Sequence, residues 1–126
     1  MKRITLAVIF ILLVSLLVYG EYSYVENTVK KFTDDLSKIE TALENGDYET
    51  ALNISQKCDD SWKDNSKKMD MLLYHDYVDN VGDSFVSIRK YIEFDNEKEA
   101  LLVCEKARRQ LRILFESEKP LAENII

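Results

Sequence analysis

A single histidine stands in this chain, and its surroundings are the first place to look for chemistry. His75 is followed by Asp76, with Asp79 one helical turn on and Asp83 one turn beyond that. Positions 75, 79 and 83 share a helix face, so an imidazole and two carboxylates are arranged where a divalent cation could in principle meet them. A metal centre needs more convergent ligands than these. The chain has no His-Glu-x-x-His, no cysteine pair at ligand spacing and no second histidine. A lone His beside acids is ordinarily a hydrogen-bonded helix residue. The expected role is structural, with no metal, no cofactor and no catalytic residue.

Nucleophilic and acid–base catalysis fare no better. A Ser-His-Asp constellation would have one imidazole to draw on, and the pairs Asp34-Asp35 and Asp59-Asp60 are sequence neighbours that point to different faces of a helix. No glycine-rich phosphate loop occurs, and an enzyme is not expected. Lys106, Arg108, Arg109 and Arg112 form a basic cluster in which Arg108 and Arg112 share a helix face. Such a cluster can dock a wall polymer or an acidic partner; pairing with the acidic first half of the chain, or plain solvation, is the expected role. Cys58 and Cys104 lie on apolar stripes and are expected to be reduced, buried thiols rather than a disulfide. Asn53-Ile54-Ser55 matches a glycosylation acceptor but falls on a helix, where the match is accidental.

The elements that hold these residues begin with the first twenty positions. Met1, Lys2 and Arg3 precede an apolar run from Ile4 to Tyr19 broken only by Thr5 and Ser15. Sixteen residues at about 1.5 Å each make a helix of roughly 24 Å, near the lower limit for a membrane span. Lys2 and Arg3 can snorkel to the inner headgroups, while Tyr19, Tyr22 and Tyr24 suit the outer interface. The expected reading is a retained signal-anchor over 1–20, with the amino terminus cytoplasmic and the remainder extracytoplasmic. The competing reading is a secretory signal cleaved near Gly20, where Val18-Tyr19-Gly20 is a weak cleavage site.

Beyond the leader lies one small domain. From Glu21 onward 15 basic residues face 23 acidic ones, a net charge near −8. That charge repels phosphates, so nucleic-acid binding is not expected. Three glycines and one proline in 126 residues leave few turns, and long helices follow.

Val25, Val29, Phe32, Leu36, Ile39 and Leu43 are spaced as one apolar stripe on a helix. Asn45-Gly46 should end that helix and Asp47 should cap the next, which carries Tyr48, Ala51, Leu52, Ser55, Cys58 and Trp62 on one face and weakens near Asn65-Ser66. Trp62 is expected in the core. Adding 49 to each member of the first stripe gives Tyr74, Val78, Val81, Phe85, Ile88 and Ile92. Asp95-Asn96 then replaces Gly46-Asp47, with Asn96 and Glu99 as a capping pair. The last helix buries Leu101, Cys104, Ala107, Leu111 and Leu114 or Phe115, and Pro120 should end it. The spacing therefore predicts an all-α chain whose membrane helix continues into two antiparallel αα-hairpins over 21–119, with a tail at 120–126. Either a four-helix bundle or a short tetratricopeptide-like stack satisfies this pattern. The Ala42–Leu52 segment looks like the turn of a tetratricopeptide hairpin, although the period is about 49 and not 34.

The leader, the helix carrying Trp62, the Leu73-Tyr74-His75-Asp76 block and the Ala100-Leu101 helix together resemble a family of small bacterial proteins typical of spore-forming Firmicutes, described as a domain of unknown function. The resemblance implies a membrane-tethered helical ectodomain and carries over no activity, substrate or site residue. The expected function is an interaction or scaffolding module of the envelope, sporulation-related through the resemblance alone, with another envelope protein as partner. The alternative is a small-molecule-sensing bundle that acts through a partner. Oligomeric state is left open.

Overall fold

Asn45-Gly46 does end the first helix. Gly46 adopts φ +74, the left-handed conformation that penalises residues with a side chain. The Asp47 amide reaches back to the Ala42 carbonyl at 2.8 Å. The Asp47 carboxylate then caps the next helix by accepting the Thr50 amide at 3.2 Å, and hydrogen bonding from the Thr50 side chain and amide holds its pKa below the ordinary value. In the computed structural model, which describes residues 1–72 and 75–125 with side chains for 1–71 and 75–117, the elements are α1 (Lys2–Glu44), α2 (Tyr48–Leu72), α3 (His75–Glu93) and α4 (Glu97–Ile125).

The turn recurs between α3 and α4 at an offset of 49, the separation of Tyr48 from Glu97. Asp95 takes the place of Gly46 at φ +56. The Asn96 amide reaches the Tyr91 carbonyl at 2.8 Å, and Asn96 Oδ1 accepts the Glu99 amide at 3.4 Å. Every backbone hydrogen bond of the first turn has its counterpart in the second. The chain is thus two copies of one helix-turn-helix unit.

Packing decides between bundle and stack. α1 lies against α2 and α4, and α3 lies against α2 and α4, while the backbones of diagonal helices stay apart. This is a closed four-helix bundle, because in an open stack the first and last helices would not touch. Phe32, Trp62 and Phe85 fill its interior with ring centroids 5.1 to 5.7 Å apart. Val25, Leu36, Ile39, Leu43, Val78, Val81, Ile88 and Ile92 complete the two predicted stripes in the core.

Gly82 lets α2 and α3 come close. A Cβ there would lie 3.2 Å from Trp62 Cδ1, and the indole N–H uses the gap to donate to the Val78 carbonyl at 3.0 Å. The large ring is buried with its polar atom satisfied.

Three expectations need correction. α2 does not weaken at Asn65-Ser66 but runs on to Leu72. Both side chains donate back to helix carbonyls, Asn65 to Ser61 and Ser66 to Lys63, each at 2.8 Å, and so do not compete with the helix. Pro120 does not end α4, which continues to Ile125; its missing N–H removes one hydrogen bond of the helix. Tyr48 is 45% exposed instead of facing the core, since it starts α2 at the distal end, where its hydroxyl donates to Glu97 at 3.2 Å. The expected continuation of the apolar helix into the bundle is present, since α1 is continuous from Lys2 to Glu44. Tyr74 of the second stripe, and Leu73 before it, lie outside the described residues.

Candidate functional site

The exposed half of α1 is the first candidate. Ile4, Leu6, Phe10, Leu16 and Leu17 are each at least 65% exposed. A helix apolar all round has no solvent face to turn outward. An 18-residue window of α1 has a mean hydropathy of 2.4 with none of it buried, which makes the helix long and apolar enough to cross a membrane. A signal sequence has the same properties. From Val25 onward the same helix is part of the core. Tyr22 and Tyr24 differ from the expected lipid-interface role: the Tyr22 ring packs on Phe115 at 5.4 Å and the Tyr24 hydroxyl donates to Asn65 at 2.8 Å.

The histidine cluster takes a different form from the expected one. His75 opens α3, and its Nδ1 lies 3.1 Å from Asp70 at the end of α2 while Nε2 lies 2.9 Å from Asp79. Asp79 thus joins the cluster as expected from its spacing, Asp70 replaces Asp83, and all three are exposed. The hydrogen bond that the ring donates to Asp70, helped by the Asp79 charge, holds the imidazole pKa above its ordinary 6.5. Both ring nitrogens donate to carboxylates when charged, so the cluster acts as a clip across the α2–α3 junction.

The basic cluster divides in two. Arg108 reaches across to Glu40 on α1 and also pairs with Glu105 at 3.1 Å, which fulfils the expected contact with the acidic first hairpin. Lys106, Arg109 and Arg112 are exposed and have no partner among the described residues. The counterpart of the Arg108 pair is a second ion pair that sequence reading missed. Arg89 on α3 meets Asp59 on α2 at 3.2 Å, and Asp59 is 3% exposed. The signal was present in the 49-residue offset, which maps Glu40 onto Arg89 and Asp59 onto Arg108. One hairpin supplies both acids and the other both arginines. Ser84 and Gln110 add a further, half-buried link between α3 and α4.

The thiols are where expected: Cys58 and Cys104 are free and buried. Burial pushes each pKa up to about 12, which keeps both protonated and unreactive at neutral pH. Asn53 is exposed in the middle of α2, and Ser55 is buried, its hydroxyl donating to the Leu52 carbonyl at 2.8 Å. The grooves on the bundle are open to solvent. One of about 440 Å³ runs between α1 and α2 past Ser37, Thr41 and Ile54. Another of about 280 Å³ lies between α2 and α3 beside Asp59, Gly82 and Asp83.

An apolar leader helix, a closed bundle of two duplicated hairpins and a polar surface define a helical protein with one helix able to span a bilayer. The chain belongs to the family described as Domain of unknown function (DUF4363), whose model matches residues 19–125. No curated protein and no solved structure matches it.

Proposed function

We propose that this protein is a single-pass, membrane-anchored helical interaction module, with its bundle on the extracytoplasmic side and another envelope protein as its partner. The observation that carries this reading is the unbroken α1, apolar and unburied at one end and core-forming at the other. Lys2 and Arg3 precede the apolar run and Glu21 follows it, the charge order that leaves the amino terminus in the cytoplasm.

Interaction is favoured over small-molecule sensing by the packing of Phe32, Trp62 and Phe85, which occupies the space a bundle ligand would need. Protease added to intact cells should digest a carboxy-terminal epitope tag, and the mature chain should keep the mass of residues 1–20. Shielding of the tag would overturn the orientation; loss of that mass would make the protein secreted.

A further inference from the structure

α4 carries two stripes. The inner one is buried in the core, and the outer one consists of Leu102, Lys106, Arg109 and Ile113, spaced four, three and four residues apart, flanked by Arg112, by Glu116 and by Glu105, which Arg108 engages. Leu102 is 63% and Ile113 42% exposed, and the three basic residues have no partner among the described residues. The duplication supplies an internal control. At the equivalent positions of α2 stand Asn53, Lys57, Asp60 and Asp64, all exposed and polar. That is what solvation alone selects on this face. In the second copy two of these four positions have become aliphatic and a third has changed from acid to arginine. Arg89 and Arg108 are both engaged by acids of this chain; the arginines of the outer stripe are not.

We propose that the outer face of α4 is a docking surface for an acidic amphipathic helix of a partner protein. This rests on the reading of the molecule as an interaction module and names the chemistry of its partner. Leucines of such a helix would cover Leu102 and Ile113, about 16 Å apart along α4. Its carboxylates would meet Lys106, Arg109 and Arg112. A second copy of this chain fits less well. Two α4 faces packed antiparallel would set Lys106 against Arg109, and the α2 face has no apolar side chains to cover Leu102 and Ile113. A lipid surface fits less well too, because α4 packs along α1 and its outer face stands along the axis of the anchor.

The test uses the full chain in detergent micelles and a labelled synthetic helix of about 18 residues, with leucines at alternating spacings of four and three flanked by glutamates. Fluorescence anisotropy should show saturable binding that weakens as salt is raised. Leu102→Lys with Ile113→Lys, and separately Arg109→Glu, should each weaken it about tenfold or more. Asn53→Ala with Asp64→Ala should leave it unchanged. Absence of saturable binding, or equal binding by the α4-face variants, overturns the proposal. So does concentration-dependent dimerisation of the chain that Leu102→Lys abolishes, or binding of the α4 face to phosphatidylglycerol vesicles in place of the peptide. The titration does not depend on where the bundle lies in the cell, so its failure is separate from a failure of the protease test.

Discussion

The two hairpins of this bundle are the same object built twice, and they differ in sign. Their turns share each backbone hydrogen bond, yet the first carries Glu40 and Asp59 where the second carries Arg89 and Arg108. Because the copies face each other about a two-fold-like axis, these four residues form two pairs across the seams between hairpins. Tyr48 and Glu97, equivalent to each other, meet at the distal end. If both copies kept the acidic set, the seams would be repulsive; if both kept the basic set, the same would hold. Divergence in charge makes each hairpin complementary to the other and not to itself, so the chain closes on itself in preference to pairing like with like.

The most damaging way to break this complementarity is to remove the arginine from the buried seam. Arg89→Met strands Asp59, which is 3% exposed with Lys63 as its remaining partner at 3.4 Å, and should cost about 3 kcal/mol in urea denaturation. Arg108→Met, at the seam where Glu40 keeps 23% of its side-chain exposure, should cost about 1 kcal/mol. Equal losses at the two seams would mean that the depth of Asp59 plays no part. Gly82→Ala tests a feature the first copy lacks, since Thr33 stands at the equivalent position on α1. The added methyl meets the Trp62 ring at 3.2 Å, so stability should fall by about 1 to 2 kcal/mol with a change in Trp62 fluorescence.

The two turns offer a finer comparison. Asp95→Gly should stabilise the protein by about 0.5 to 1 kcal/mol, because Asp95 bears a side chain at φ +56, and Gly46→Ala should destabilise it by about 1 kcal/mol. A thermal melt that moves the same way for both would refute this account of the turns. The smallest effect belongs to the clip at the opposite end. His75 should titrate above 6.5 by NMR and shift down on Asp70→Asn. Its stabilisation is fully present below the ordinary histidine pKa and fades as pH rises through the raised one. A His75 titration unmoved by Asp70→Asn would remove Asp70 from the clip.

The stripes, the turns and the 49-residue offset were readable from sequence because each depends on residues near one another in the chain. Closure of the ring was not, since it rests on α1 meeting α4, a contact between the two ends of the bundle. Asp70 escaped notice for a related reason: it reaches His75 from the preceding helix, and the spacing rule used for Asp79 and Asp83 works within one helix. Tyr48 fitted the apolar face of α2 by period alone but sits at the helix start, where a stripe leaves the core. The exposed stripe of Leu102 and Ile113 was hidden by the stronger inner stripe of the same helix. It stands out once the equivalent residues of α2 are set beside it.

The unbroken course of α1 has one more consequence. A rod of 43 residues with no hinge between its oily end and its bundled end transmits twist. Whatever grips the first four turns sets the compass bearing of every bundle face, so a quarter-turn of the buried end would swing Arg109 from one neighbour to another without altering a single contact inside the protein.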